Sequence, residues 1–184
     1  MNQLSTLKMY AKNRKFPEAV KIGIVPNDWL NSAKDFANNL SNTSDVALQQ
    51  REESNVKGTA IDNYDSLTIF YNQRYFDSMP LPSIITQLDG VHHLRFGVLN
   101  EGATIPFHID EPFTLRFICV VQGSHKYHTE TGNIYLMSEG EFWFINGSFK
   151  HSIENTSPGY RIALLGKFSR STTNLSLINE LLRA

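Results

Sequence analysis

At 184 residues, with 41% hydrophobic and 19% charged side chains, the chain is long enough to bury a core and has the balance of a globular rather than a disordered protein. Its 17 Lys and Arg against 18 Asp and Glu leave a net charge of −1, which gives no electrostatic reason to expect nucleic acid or an anionic membrane as partner. A lone cysteine, Cys119, excludes an internal disulfide, and neither a membrane span of ~18 apolar residues nor the apolar stretch of a signal peptide is found, so a reducing, cytoplasmic location is expected.

Segment 20–25 predicts a short strand, ended by Pro26. Asn27 is placed to cap a helix carrying Trp29, Leu30, Ala33, Phe36, Ala37 and Leu40 on one face. Residues 41–66 are polar and predict a long loop, which on such a scaffold can close over a bound substrate as a lid. Segment 81–88, between Pro80 and Asp89-Gly90, predicts a short helix. From about 91 to 168 the pattern changes. Runs rich in Val, Ile, Phe and Tyr at His92–Leu99, 114–121, 133–137, Glu141–Ile145 and 160–168 are separated by turn signals such as Asn100-Glu101-Gly102 and Ser157-Pro158-Gly159. Short strands at this spacing predict an all-β sandwich, barrel or jelly roll. Within it Cys119, in the apolar run 117–121, reads as a small buried hydrophobe. A last helix carries Leu175, Ile178, Leu181 and Leu182 on one face, a stripe to be buried on the sheet or in a dimer contact. The expected organisation is one domain over 1–184: a mixed, partly helical lead-in to 90, a β core over 91–168 and a C-terminal helix over 169–184, as a monomer or homodimer.

Chemistry gathers around His108-Ile109-Asp110 and His151. Residues two apart on an extended strand leave the same face, so His108 and Asp110 can share one ion, with a third ligand arriving from a distant strand folded alongside. Two imidazoles and one carboxylate on one side of a metal leave its other positions open, the facial triad of non-haem iron(II) oxygenases. Alone, H-x-D is also the pattern of a strand-end His and Asp bonding to a turn, and His92, His93, His125 and His128 are alternative third ligands. Two arginines strengthen the site. Arg161 and Arg116 each stand in an otherwise apolar strand, where a guanidinium is costly to bury without an anion. Its planar fork suits a carboxylate, so the pair suggests a small dicarboxylate, unless each points outward or pairs with an acidic side chain. His93, Tyr127, His128 and Trp143 are candidates for the substrate pocket, although aromatics in strands more often belong to the core. No phosphate-binding glycine loop, recognisable Ser-His-Asp set or cysteine-rich zinc site is present.

The stretch from Phe96-Gly97-Val98-Leu99 through Gly102 to His108-Ile109-Asp110, then Thr114-Leu115-Arg116, Ser148-Phe149-Lys150-His151 and Arg161, resembles the aspartyl/asparaginyl β-hydroxylase family of iron(II)/2-oxoglutarate-dependent oxygenases. The resemblance spans about residues 80–168. It implies a double-stranded β-helix, the cupin-like jelly roll, in a mainly β protein with N-terminal helices and a short C-terminal helix. It also implies His108, Asp110 and His151 as iron(II) ligands, 2-oxoglutarate and O2 as co-substrates, Arg161 on the distal carboxylate of 2-oxoglutarate, and Arg116 near a second carboxylate-binding position. The substrate it implies is an amino acid, free or within a peptide or protein. The retained carboxylate at Asp110 points to hydroxylation, because halogenating relatives carry a small residue there. Gly97 stands where some members have a hydroxyl residue, and Glu101 replaces a common proline.

Gly140, Glu141–Ile145, His151 and Asn155 are similar to the second cupin motif, with Asn146 and Ser148 in place of its proline and second glycine. That similarity implies the same jelly roll but is shared by enzymes and simple binding proteins, so a metal-binding cupin indifferent to 2-oxoglutarate is the alternative expectation.

Overall fold

The computed structural model describes residues 14–41, 66–70, 81, 83–110, 115–168 and 171–181. In chain order the elements are β1 (Ala19–Ile24), α1 (Asn27–Ser41), β2 (Ser66–Phe70), α2 (Ser83–Thr86), β3 (His92–Leu99), β4 (Thr104–His108), β5 (Leu115–Gln122), β6 (Ser124–Thr129), β7 (Ile134–Ser138), β8 (Glu141–Ile145), β9 (His151–Asn155), β10 (Arg161–Phe168) and α3 (Thr172–Leu181). The strands form two antiparallel sheets, one of six in the order β1-β8-β5-β10-β3-β2 and one of four in the order β4-β9-β6-β7. This is the cupin-like jelly roll. The strands β2, β4, β6 and β9 are additions to the predicted set. The expected loop or lid over 41–66 lies, for residues 42–65, outside the described residues.

Two apolar layers explain the strand sequences. Phe117, Cys119 and Val121 of β5 face outward from the six-stranded sheet, where they join Phe142, Phe144, Ile162, Leu164 and Phe168 beneath Trp29, Leu30, Ala33 and Ala37 of α1 and Ile178 of α3. Ile118 and Val120, on the opposite face of β5, meet Leu99, Ala163, Tyr127, Met137 and Ile153 between the sheets. A strand buried on both faces has no reason to alternate, hence the unbroken apolar run of β5. By contrast, β6 alternates between buried and half-exposed residues, because the far side of the smaller sheet is not covered in this way. Each buried Phe of the outer layer contributes about 1.5–3 kcal/mol. The apolar stripe of α3 is buried against the protein's own sheet through Ile178, with Leu175 and Leu177 packed at its margin. No helix among the described residues is long and apolar enough to cross a membrane.

The chain changes sheets between β5 and β6 at a single residue, Gly123, whose φ of +77° an L side chain rarely adopts. Ser124 N donates to Ser157 Oγ at 2.6 Å and clamps that corner. Asn155 anchors the other end of β9. Its Nδ2 donates to the carbonyls of Leu99 (3.0 Å), Asn100 (2.8 Å) and Gly159 (2.9 Å), while its Oδ1 accepts from Ser157 N (2.9 Å). These bonds join the two sheets and hold β9, with His151 at its start, in fixed register.

Candidate metal centre

His108 ends β4 and His151 begins β9, and the pairing of these two antiparallel strands sets them opposite one another. The register slips between Ile105 and His108. One extra residue in β4 turns the inward side chain from the odd positions to His108, and such bulges commonly re-aim side chains at functional sites. Pro106, inside the bulge, is tolerated because β4 is the edge strand. Asp110 lies beyond the end of β4, so the shared strand face expected for His108 and Asp110 does not bring them together. Asp110 is held instead by its backbone N–H, which donates to Gly147 O at 2.9 Å in the turn between β8 and β9. That turn packs tightly: a Cβ on Gly147 would sit 2.4 Å from Asp110 Cβ.

The donor atoms of His108, Asp110 and His151 all lie within 4.8 Å of one another. His108 Nδ1 is 2.8 Å from Pro106 O, and His151 Nδ1 is 2.8 Å from Phe149 O. A carbonyl only accepts, so each Nδ1 carries the proton and each neutral ring keeps an unprotonated Nε2 lone pair. Both lone pairs face the Asp110 carboxylate, with His108 Nε2 3.9 Å from Oδ1 and His151 Nε2 3.7 Å from Oδ2. These distances are too long for hydrogen bonds. The convergence of three lone-pair donors is what a cation would bridge, and backbone carbonyls behind ligating imidazoles are the usual orienting partners. Burial pulls the His151 pKa down, against the opposing pull of Asp110, which keeps the ring neutral and available as a ligand. Tyr127 stacks on the His151 ring, with centroids 4.9 Å apart at 24°.

A cavity of about 120 Å³ opens beside the triad. Ile105, Ile118, Ile153 and Leu165 form apolar walls, and Arg95 and Arg116 contribute charge. Phe107 and Ile109, on either side of His108, are each 47% exposed, and Phe107 also lines the cavity. Arg116 Nε lies 2.8 Å from Asp110 Oδ2 as an ion pair, without the alignment of a hydrogen bond. Arg116 is thus paired with an acidic side chain, and it is the partner that fixes the carboxylate. Arg161 is buried, 2% exposed, at the start of β10; its Nη1 donates to Gly97 O at 3.3 Å, and burial lowers its pKa to about 10, which leaves it charged at neutral pH. It is not among the residues lining the cavity. Among the described residues, the buried side-chain N and O atoms without a hydrogen-bond partner are Nε of Arg95, Arg116 and Arg161, both ring nitrogens of His125 and the Tyr127 hydroxyl. Native interiors rarely leave such groups unsatisfied, and of these residues Arg95 and Arg116 line the cavity.

The other pocket candidates separate by strand parity. Tyr127 points inward and His128, its neighbour on β6, points outward, where its Nε2 bonds Glu154 Oε2 at 3.1 Å. Adjacent residues on a strand face opposite sides, so His128 does not reach the cavity, contrary to expectation. Trp143 packs against Tyr135 and donates to Glu141 Oε2 at 3.0 Å, away from the cavity. The His93 side chain lies outside the described residues. His125, considered as an alternative ligand, is fully buried in the barrel with its pKa pushed well down by burial and by Arg161; it is not in the donor cluster. Arg95 was missed. The signal that exposed Arg116 and Arg161, an arginine within an apolar strand, was equally present in His92–Leu99.

The structure defines a jelly roll of the cupin class with a His-Asp-His cluster at one end of its interior. The family model for aspartyl/asparaginyl β-hydroxylases matches residues 74–171, more than half of the chain, and the protein belongs to that family. Among solved structures, a prolyl-4-hydroxylase from Pseudomonas putida is similar at 12% identity and a TM-score of 0.55, over 89% of this chain and 99% of that one. An RmlC-like cupin protein from Desulfovibrio desulfuricans is similar at 9% identity and a TM-score of 0.39, over 61% of this chain and 92% of that one. No curated protein sequence matches the chain.

Proposed function

We propose that the protein is an iron(II)- and 2-oxoglutarate-dependent oxygenase that hydroxylates an amino acid, free or within a peptide or protein. The observation that carries this reading is the paired tautomer lock, in which two backbone carbonyls take the Nδ1 protons and two free Nε2 lone pairs converge with one carboxylate. Two imidazoles and a carboxylate are the donor set of non-haem iron(II) oxygenases, and His108, Asp110 and His151 would hold the metal. With 2-oxoglutarate and O2, bound iron(II) supplies the oxidising power needed to attack an unactivated C–H bond.

The protein's own part is position and electrostatics. Pro106 and Phe149 orient the imidazoles, Tyr127 backs His151, and Arg116 with Gly147 sets the carboxylate. Arg161, whose buried Nε lacks a hydrogen-bond partner, would take the distal carboxylate of 2-oxoglutarate, and Arg116, which lines the cavity while paired with Asp110, would lie beside it. Ile105, Ile118, Ile153 and Leu165 limit water around the reacting centre, and Phe107 and Ile109 present apolar surface to the incoming substrate. The cavity suits a free amino acid or small peptide, and the buried Cys119 is consistent with a reducing, cytoplasmic setting.

The test is the weak visible charge-transfer band formed when iron(II) and 2-oxoglutarate are added anaerobically to the metal-free protein. The band is expected in the wild type and absent in His151→Ala. Metal binding without a band would replace this reading with that of a metal-binding cupin.

A further inference from the structure

Tyr127, Tyr135 and Trp143 stand in a row that substrate oxidation leaves unused. The Tyr127 ring stacks on His151, with centroids 4.9 Å apart. Tyr135, its register partner on β7, follows at 6.4 Å, and Trp143 of β8 follows Tyr135 at 6.2 Å in an edge contact. Rings at these spacings are in direct contact. The row leads from a buried residue of the metal cluster to two half-buried rings that do not line the cavity. Tyrosine and tryptophan are readily oxidised by one electron, and electron tunnelling falls off steeply with distance. Contiguous rings therefore carry charge where isolated ones do not.

The polar surroundings of the three rings differ in a way that suits such transfer. An oxidised phenol is a strong acid and must hand over its proton. Tyr135 has an acceptor, since its hydroxyl donates to Glu18 Oε2 at 3.2 Å. Trp143 Nε1–H donates to Glu141 Oε2 at 3.0 Å, which sets a negative charge where an oxidised indole carries a positive one. Burial opposes the charge on both carboxylates, but hydrogen bonds, led by Thr131 at Glu18 and by Lys21 at Glu141, outweigh it and keep both ionised at neutral pH. The buried Tyr127 hydroxyl has no hydrogen-bond partner and so nowhere to release a proton. Tyr127 is therefore a bridge, and Tyr135 and Trp143 are the rings on which an electron deficit can rest. Packing alone would be met by phenylalanine, which needs neither carboxylate.

We propose that Tyr127, Tyr135 and Trp143 form a protective electron path, which draws an oxidising equivalent left at the metal centre without a substrate away from the ligating histidines. The proposal rests on the oxygenase reading for the source of the oxidant. One electron moves from Tyr135 across the Tyr127 ring to the metal centre, while the Tyr135 phenolic proton passes to Glu18. Trp143 then gives one electron to Tyr135, which recovers its proton from Glu18. The Trp143 radical cation, held beside Glu141, takes one electron from a one-electron reductant in solution, so the protein is restored and the reductant is oxidised in its place.

The test uses the full-length protein loaded with iron(II) and given 2-oxoglutarate and O2 without substrate. Oxygen incorporation is mapped residue by residue by mass spectrometry of its peptides, per succinate formed. In the wild type, oxidation should concentrate on Trp143 and Tyr135, fall several-fold when ascorbate is added as reductant, and vanish with zinc(II) in place of iron(II). In Tyr135→Phe, Trp143 oxidation should fall several-fold, and oxidation of His108, His151 and Tyr127 should rise by a similar factor. Trp143→Phe leaves the Glu18 contacts intact and serves should Tyr135→Phe fold poorly; its products should shift to Tyr135 and His151. Wild-type oxidation confined to the metal cluster, histidine oxidation unchanged in both variants, or Trp143 oxidation that persists with zinc(II) overturns the proposal. If the wild type forms no succinate, the oxygenase reading fails instead. The same mapping with hydrogen peroxide and the iron(II)-loaded protein, which needs only the metal, then decides the path by itself.

Discussion

Replacing Gly147 by alanine tests whether the Asp110 carboxylate is held by the β8–β9 turn. The methyl group would lie 2.4 Å from Asp110 Cβ, 2.8 Å from Oδ2 and 3.0 Å from Cγ. Optimal contacts between carbon atoms are about 3.5–4.0 Å, so the turn or the carboxylate must yield by roughly 1 Å. The nearest atom is the root of the side chain, which a rotamer change does not move. The φ of Gly147 is not in the left-handed region, so the clash is not confounded by backbone strain. Overpacking of this kind costs about 1–3 kcal/mol of stability. Displacing a group that orients metal ligands typically costs about 10–100-fold in metal affinity, about 1.4–2.7 kcal/mol. Titration with manganese(II) or iron(II) under anaerobic conditions reads the affinity directly. Thermal unfolding gives a second measure, because metal at about 100 times its Kd stabilises the folded state by about 2.7 kcal/mol. The wild type should lose that increment on chelation, whereas Gly147→Ala, binding about 10–100-fold more weakly, should gain only about 0.4–1.4 kcal/mol from the same metal concentration. Wild-type metal affinity in Gly147→Ala would refute the argument that this turn positions Asp110.

Two further outcomes follow from the residues around the site. Glu18 is 7% exposed and accepts hydrogen bonds from Thr129, Thr131, Asn133 and Tyr135. Burial opposes its charge, but the donors, led by Thr131, outweigh it and lower its pKa. A carboxylate lowered in the folded state contributes stability above its unfolded pKa of about 4.3 and loses it as pH falls through the folded value. Glu18→Gln should therefore cost about 1–3 kcal/mol in urea unfolding at pH 7 and flatten the decline of stability below pH ~4.3; an unchanged acid limb would contradict this. His128→Ala, by contrast, should alter manganese(II) and 2-oxoglutarate affinities by no more than about twofold, since the ring faces away from the cavity; a larger loss by calorimetry would place His128 in the site after all.

The sequence determined a good deal on its own. The change of pattern after residue 91 announced an all-β sandwich, barrel or jelly roll, because short apolar runs between turn residues cannot bury themselves except in facing sheets, and the family resemblance narrowed it to the jelly roll. The donor types at His108, Asp110 and His151 made them candidates for a metal site, since ligand chemistry resides in the residues themselves, and the family resemblance chose His151 over the other histidines. What stayed hidden were strands whose pairing, rather than composition, makes them strands. β4 carries Pro106 and survives as an edge, while β9, with the sequence HSIEN, owes its place to Asn155 and to its partners β4 and β6.

Only the tertiary structure decided which residues meet. The bulge in β4 turned His108 toward His151, and the β8–β9 turn, not the pleat of a shared strand, supplied Asp110. An arginine in an apolar strand can be recognised from the sequence, but its partner cannot. Arg116 proved to face Asp110, Arg161 to lie against Gly97, and Arg95 to line the cavity within electrostatic reach of Asp110. The physical reason is that a strand offers two faces separated by one residue. Register, bulges and the packing of the second sheet choose between them, and all three depend on residues far away in the chain.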